Sequence, residues 1–600
     1  MAKTTHLSRV LGVALAAAAL PAAAQQLDFA VSGADKALTS ALQGASLLYA
    51  GQQEADRDPR DVLAAARADY ARIINALYAE GYYGGAVWIR VDGREAASMS
   101  PFAAPAEIGN VSVEIDPGPL FTFGDVMIGP RAPGSTAPGD VATGAPAYST
   151  AVQAAVDGAV SDWRDAGRAK VAVAGQSVTA DHRSQTLDAQ VRLAPGPVVT
   201  LGNLVQTTPS AVRAERVQVI AGLPTGETYS PAEVEEAANR LRRTGAFASV
   251  AVTEAETLGP GDTMDIELAL ADEKPRRFGF GAELASLEGL TISGYWMHRN
   301  FLGGAERLRI DGEVSHIDGT LDNMDADVTA RLDIPAALGT DNDVFVELEG
   351  GYFQEPGYEF GLGSGGVGVH RRFSPELEGE LGLAYAYAVF KDPLGDTTFS
   401  YVSVPANLTW DRRDNALDPT TGTYVFAELE PLYEFNGETF AARGSVDARA
   451  YYGLQDGDLV LAGRAVAGYV LADNASDVPS DFLFYSGGGG TVRGFPYQSM
   501  GAGPGGDNSV GGRTFLGGSA ELRYKVTDQI GVVGFADAGR VGADSFLDTA
   551  DWQISAGAGV RYYTGLGPIR LDVAVPVSGP GASLDTIWDA QLYIGIGQAF

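Results

Sequence analysis

From Arg276 to Phe600 the chain alternates apolar and polar residues with a period of two, which constrains its fold more than any other feature. In Ile569-Arg570-Leu571-Asp572-Val573-Ala574-Val575 the apolar residues take the odd positions, while Arg570 and Asp572 share the other face. Leu308, Ile310 and Val314 alternate with Arg309, Asp311, Glu313 and Ser315. Arg443, Asp447, Arg449 and Tyr451 face away from Ala442, Val446, Ala448 and Ala450. Successive strand side chains point to opposite faces, so these segments read as strands between two unlike environments. A soluble sandwich would alternate too, but with its charges outermost. Length and edges favour a transmembrane barrel. Residues 275–600 hold sixteen strand-like segments, an even number as in bacterial barrels. Tight links at 456–458, 527–529 and 565–567 alternate with longer ones at 473–512, 543–551 and 579–588, as expected of short periplasmic turns and long external loops.

The N-terminus reads as a secretory signal: Lys3 and Arg9, then an apolar run from Val10 to Leu20, then Ala22-Ala23-Ala24. Residues 1–24 are therefore set apart from the fold. No later run reaches the ~18 apolar residues of a transmembrane helix. Cysteine is absent, which excludes disulfides and thiolate metal sites. The formal charge of −34 argues against nucleic acid as a partner, because phosphates attract cations.

Before residue 275 two landmarks recur. Strands run into Asp116-Pro117-Gly118-Pro119 and again into Ala194-Pro195-Gly196-Pro197. Helices stop at a glycine three times, at Gly81, Gly167 and Gly245, where glycine supplies a left-handed cap. Ser230-Pro231-Ala232-Glu233 opens a helix whose Val234, Ala237, Ala238 and Leu241 share a face. Three units follow, at 25–118, 119–197 and 198–274, each read as strand, helix, helix, strand, strand.

Between strands eleven and twelve lies Gly487-Gly488-Gly489-Gly490-Thr491-Val492-Arg493-Gly494-Phe495-Pro496. One arginine among flexible glycines suits a loop tip folded into a polar cavity, where a five-donor guanidinium meets carboxylates. Enzymatic chemistry finds little footing. The histidines at 6, 182, 298, 316 and 370 lack ligand spacing, and no nucleophile elbow, H-E-x-x-H motif or P-loop occurs. Gly361-Leu362-Gly363-Ser364-Gly365-Gly366 fits G-x-G-x-x-G, but no helix follows it. No cofactor or metal is expected.

The repeats resemble POTRA domains, whose edge strands pair with extended guests. With three of them, sixteen strands and Val492-Arg493-Gly494-Phe495 in the loop, residues 25–600 resemble a TamA-like member of the BamA/TamA superfamily. The resemblance implies an α+β periplasmic array followed by an all-β barrel in the outer membrane, with loop 473–512 folded inward. It assigns Glu521 and Asp537 to holding Arg493; the same two carboxylates could also be read as an acid/base pair. It marks Trp410-Asp411-Arg412-Arg413-Asp414-Asn415 with Asp418-Pro419 as a periplasmic turn, and Phe600 as a C-terminal assembly signal. Gln598 departs from that signal, because the family favours an apolar residue there. Gly279 and Gly281 in the first strand, with Gly595 and Gly597 in the last, suggest a weak lateral seam.

The function so implied is non-enzymatic insertion or secretion of β-rich, autotransporter-type clients without nucleotide hydrolysis. Unfolded outer-membrane proteins, outer-membrane lipid and a TamB-like partner anchored in the inner membrane are the implied partners. A two-partner-secretion pore and a lipid-transfer conduit are the alternatives.

Overall fold

The computed structural model describes residues 26–600 apart from 53–56, 101–104, 137–138, 286–288, 318–323, 393–394, 503–509, 547–549, 566, 580–581 and 583–589. The signal at 1–24 lies outside the described residues. The chain forms two compact units, one of residues 1–201, 226–231 and 259–263, the other of 202–225, 232–258 and 264–600.

In the first unit, strand Gln26–Val31 lies parallel to Asn110–Asp116, which pairs antiparallel with Ala86–Val91. The helix Pro59–Ala79 starts at Asp58, whose carboxylate accepts the Arg60 N–H at 2.8 Å, and it has proline at its first position. Val62, Ala66, Ile73 and Leu77 recur at helical spacing and bury against Ile89, Val91 and Val113. The second repeat departs from the expected order. Among the described residues its sheet, Thr122–Gly129, Thr186–Ala194 and Ala172–Asp181, carries one α-helix, Ser149–Asp165, and only a 3₁₀ turn at Gly139–Val141 where a first helix was expected. Pro130, Pro133, Pro138 and Pro146, with Gly134, Gly139 and Gly144, account for this, because neither residue type sustains a helix interior. The helix-ending glycines at 81, 167 and 245 have φ of +84°, +83° and +67°.

Most of the third repeat belongs to the second unit. Its helices Ala214–Ala221 and Pro231–Arg243 share one apolar core with Ala305 and Ala336, on links between barrel strands. Asp341, on the same links, takes the Arg240 guanidinium at 3.0–3.1 Å and Arg243 at 2.9 Å.

From Arg276 onward, seventeen described segments form one sheet in chain order, and the ladders between them are antiparallel. Gly395–Ser403 and Ala406–Asp411 both pair with Leu377–Asp392 and with Gly422–Glu434. They are two halves of one strand, broken at Val404-Pro405 because proline cannot donate to the ladder. Sixteen strand positions result. The expected asymmetry of links holds only in the last third. Earlier, on the far side from the third repeat, 356–357 and 435–438 are short, whereas 299–306 and 412–421 on the near side are long.

The two faces separate as the alternation requires. Leu348, Leu383, Leu461 and Val573 point outward. Trp410, Tyr452, Tyr524 and Tyr562 gird the near end, and Phe440, Tyr469 and Trp552 the far end. Inward lie Arg331 with Asp333, Glu347 and Glu380; Arg443 with Glu428; and Arg449 and Arg464 with Asp447.

Candidate functional site

Residues 472–502 of the link between the eleventh strand, Leu459–Leu471, and the twelfth, Thr514–Lys525, fold into the lumen. Its Val478, Phe482, Leu483, Phe484 and Met500 bury against Tyr358, Phe360, Phe390, Tyr401 and Phe515 of the wall. Burying that much apolar surface holds the segment in place and fills the lumen over those strands.

Its tip carries the Val492–Phe495 motif. Arg493 is 3% exposed. Its Nε and Nη2 donate to the two Asp537 carboxylate oxygens at 2.7 and 2.8 Å, a bidentate fork, and its backbone N–H reaches the same group at 3.2 Å. Nη1 donates to Glu521 at 2.7 Å and to Asp572 at 3.4 Å. The guanidinium carbon sits 3.6 Å from the Phe535 ring centroid, a cation–π contact strengthened by desolvation. Glu521 and Asp537 reach the tip because both are inward residues of adjacent strands, with Ser519 opposite Asp537 and Glu521 opposite Phe535.

The neighbours of Arg493 fix its place. Val492 is fully buried, and Phe495 nearly so. Gly494 has φ +94°, and a Cβ there would come within 3.0–3.3 Å of backbone atoms of Ala574 and Val575. Only glycine fits that approach. Its N–H donates to the Tyr593 hydroxyl at 2.9 Å.

Three residues beyond the expected set complete the site. Asp572 also accepts from Arg561, and Glu521 also accepts from Arg523 at 2.9 Å. Arg493, Arg523 and Arg561 thus interleave with Glu521, Asp537 and Asp572, three charges of each sign, which is how buried charges are compensated. The period-two pattern already put Asp572 on the polar face. Which inward residues meet across the lumen is set by strand register, which one sequence does not display.

The glycines named for the seam sit differently from one another. Gly279 and Gly281 lie in the first strand, Arg276–Ala285, and Gly595 lies in the last, Gln591–Ile596. Gly597 falls one residue past that strand, with φ +87°. The Tyr295 ring covers Gly279, and the Arg570 side chain covers Gly595. The first and last strands come into contact, but no hydrogen-bonded ladder joins them among the described residues. Phe600 packs inward with Tyr451 and Ala462.

A barrel filled by its own loop, behind small α/β repeats, defines an outer-membrane protein whose N-terminal domains stand in the periplasm. The Omp85 superfamily domain matches residues 300–600, and the chain belongs to the Omp85 superfamily, a family of outer-membrane insertion and translocation. Outer envelope protein 80, chloroplastic, of Oryza sativa subsp. japonica is 24% identical over 394 residues, 58% of this chain and 55% of that protein. The chain therefore spans about half the length of that curated relative. The crystal structure of BamA from Haemophilus ducreyi lacking POTRA domains 1-3 aligns with a TM-score of 0.62 at 15% identity, covering 79% of this chain and 98% of that one. That likeness shows the fold. CdiB from Escherichia coli aligns over 80% of this chain and 91% of its own at 15% identity and a TM-score of 0.48, too low to bear on it.

Proposed function

We propose that this chain inserts β-rich outer-membrane clients through its seam, as a TamA-like factor that performs no chemistry of its own. One observation carries the reading. Among the described residues every other neighbouring pair of barrel strands is joined by a ladder, and the first and last strands are not. An open edge in lipid leaves backbone groups unsatisfied at several kcal/mol each. A client strand that pairs there relieves that cost without nucleotide, and lipid burial of the client adds to the drive. The loop latch of Val492, Arg493, Gly494 and Phe495 on Glu521 and Asp537 keeps the wall from the twelfth to the fifteenth strand rigid while the seam exchanges partners.

The repeats would offer edge strands to unfolded clients; Ala172–Asp181, at the edge of its sheet and exposed along most of its length, is suited to this. A TamB-like partner would feed them from the inner membrane. A secretion pore or a lipid conduit would need the segment at 478–500 to leave the lumen, which its buried apolar contacts oppose.

The native chain has no thiol, so cysteine pairs across residues 278–281 and 594–596 can be screened without background. Oxidation should stop client insertion, and reduction should restore it. Full activity in a completely crosslinked seam would defeat the reading.

A further inference from the structure

Beyond the last strand the chain does not stay in the wall. After Ile596 it bends at Gly597, whose N–H donates to Pro568 O at 2.7 Å, and turns inward. Three contacts receive it. The Gln598 N–H donates to Leu417 O at 3.0 Å, and its side-chain amide donates to Asp418 at 2.8 Å. The Gln598 carbonyl oxygen accepts from Arg561 Nε at 2.7 Å. Arg523 then donates to Phe600 O at 3.0 Å and lies over its ring, 5.4 Å from the centroid.

Leu417 and Asp418 belong to the link 412–421, between the eighth and ninth strands, the middle of the sheet order and the farthest in sequence from both edges. That link is built to hold a shape. Asp414 accepts from the Thr420 N–H at 2.9 Å and the Thr421 N–H at 3.2 Å, and also from the Thr420 hydroxyl. The Asn415 side chain accepts from the Leu417 and Asp418 N–H groups at 2.8 and 3.1 Å. Asp418 and Leu417 O are thereby presented to Gln598 by a pre-formed loop, not by a flexible one.

We infer that Gln598 is a positioning residue of the seam: through Asp418 and Arg561 it clasps the tail 597–600 inside the lumen and fixes where the last strand ends. This rests on the seam reading given above. It also explains the polar residue where the family favours an apolar one, since an apolar side chain would leave Arg561 Nε and Asp418 without these partners. Arg561 binds Asp572, which binds Arg493, and Arg523 binds Glu521, which also binds Arg493. The clasp and the latch are therefore one connected set of charges.

The test needs no client, so it stands or falls apart from client insertion. Ala599→Cys supplies a single thiol in the full-length protein, reconstituted in lipid vesicles and probed with a water-soluble maleimide. Folding is checked by the heat-dependent shift in gel mobility. Gln598→Ala and, separately, Asp418→Ala should each speed labelling by at least roughly tenfold, the ratio that losing one charge-assisted hydrogen bond supports. They should also change the disulfide yield of cysteine pairs across 278–281 and 594–596. Gln598→Glu keeps an acceptor for Arg561 but repels Asp418, and should behave like Asp418→Ala. Unchanged labelling and seam yield in the folded Asp418→Ala protein would overturn the inference, even if Gln598→Ala failed to fold.

Discussion

The wall that faces the loop tip and the seam that joins the first and last strands differ in one respect: where their polar groups find partners. At the tip, six charges and a backbone N–H are matched within an apolar surround, and the ladders on both sides are complete. At the seam, the backbone edges meet without a ladder among the described residues, and two of the glycines are covered by a neighbour's side chain. Buried charge matched by charge is expensive to disturb. An unpaired edge gains by acquiring any strand. Rigidity at the tip and exchange at the seam thus come from the same rule of hydrogen-bond satisfaction.

The largest effect should come from breaking the rigid side. Arg493→Ala leaves three carboxylates around a hole, at a cost of about 3–5 kcal/mol for an unpaired buried charge. Limited proteolysis should then cut within 478–500, whose buried Val478, Phe482 and Phe484 should protect it in the native protein. Arg493→Lys restores the charge without the fork on Asp537 and should fall between. Protection unchanged in Arg493→Ala would mean that the apolar contacts of Phe482 and Phe484 hold the loop alone.

Gly494→Ala should come next. It forces a side chain into a left-handed backbone and against the fifteenth strand, costing about 1–3 kcal/mol by the strain of a non-glycine residue there. Urea unfolding of the detergent-solubilised barrel would read this. The same substitution at Gly595, which has no positive φ, should cost less, and equal losses at both sites would erase the contrast between wall and seam.

A smaller effect is expected where the third repeat meets the barrel links. Asp341→Asn weakens two arginine contacts that are partly open to water, worth about 1 kcal/mol in all. Hydrogen exchange should quicken in Pro231–Arg243 while the latch strands stay protected.

The smallest concerns acid. Burial pushes the Asp414 carboxyl up, but hydrogen bonds from Thr420, Thr421 and Asn415 outweigh it and hold the group below its ordinary value of 3.8. A depressed folded-state value contributes stability above the unfolded value and loses it as pH falls through the folded one. The link 412–421 should therefore stay ordered at pH 5 and loosen only below about 4. Hydrogen exchange in 412–421, corrected for its intrinsic pH dependence, would show it across that range, and loosening near pH 6 would contradict it.

Much of the architecture was legible in the residues. Period two separated the outward Leu571 and Val573 from the inward Arg570 and Asp572, because a strand has only two faces. The glycine-flanked Arg493 marked a buried cation, because an isolated guanidinium among flexible residues needs acceptors. The 3₁₀ turn that replaces a helix among the described residues of the second repeat is legible too, because its prolines and glycines cannot sustain a helix interior.

Other features required the folded chain. Whether Gly597 continued the strand or ended it depended on a pairing partner that the sequence does not name. That Gln598 meets Asp418, 180 residues away, follows from a link at the middle of the sheet order reaching the tail at its edge. Alternation is a local property of the backbone, so sequence alone determined which face each strand residue takes. Contacts across the lumen depend on register, on the path of the loop and on how the sheet curls, and those are set only when all sixteen strand positions are in place.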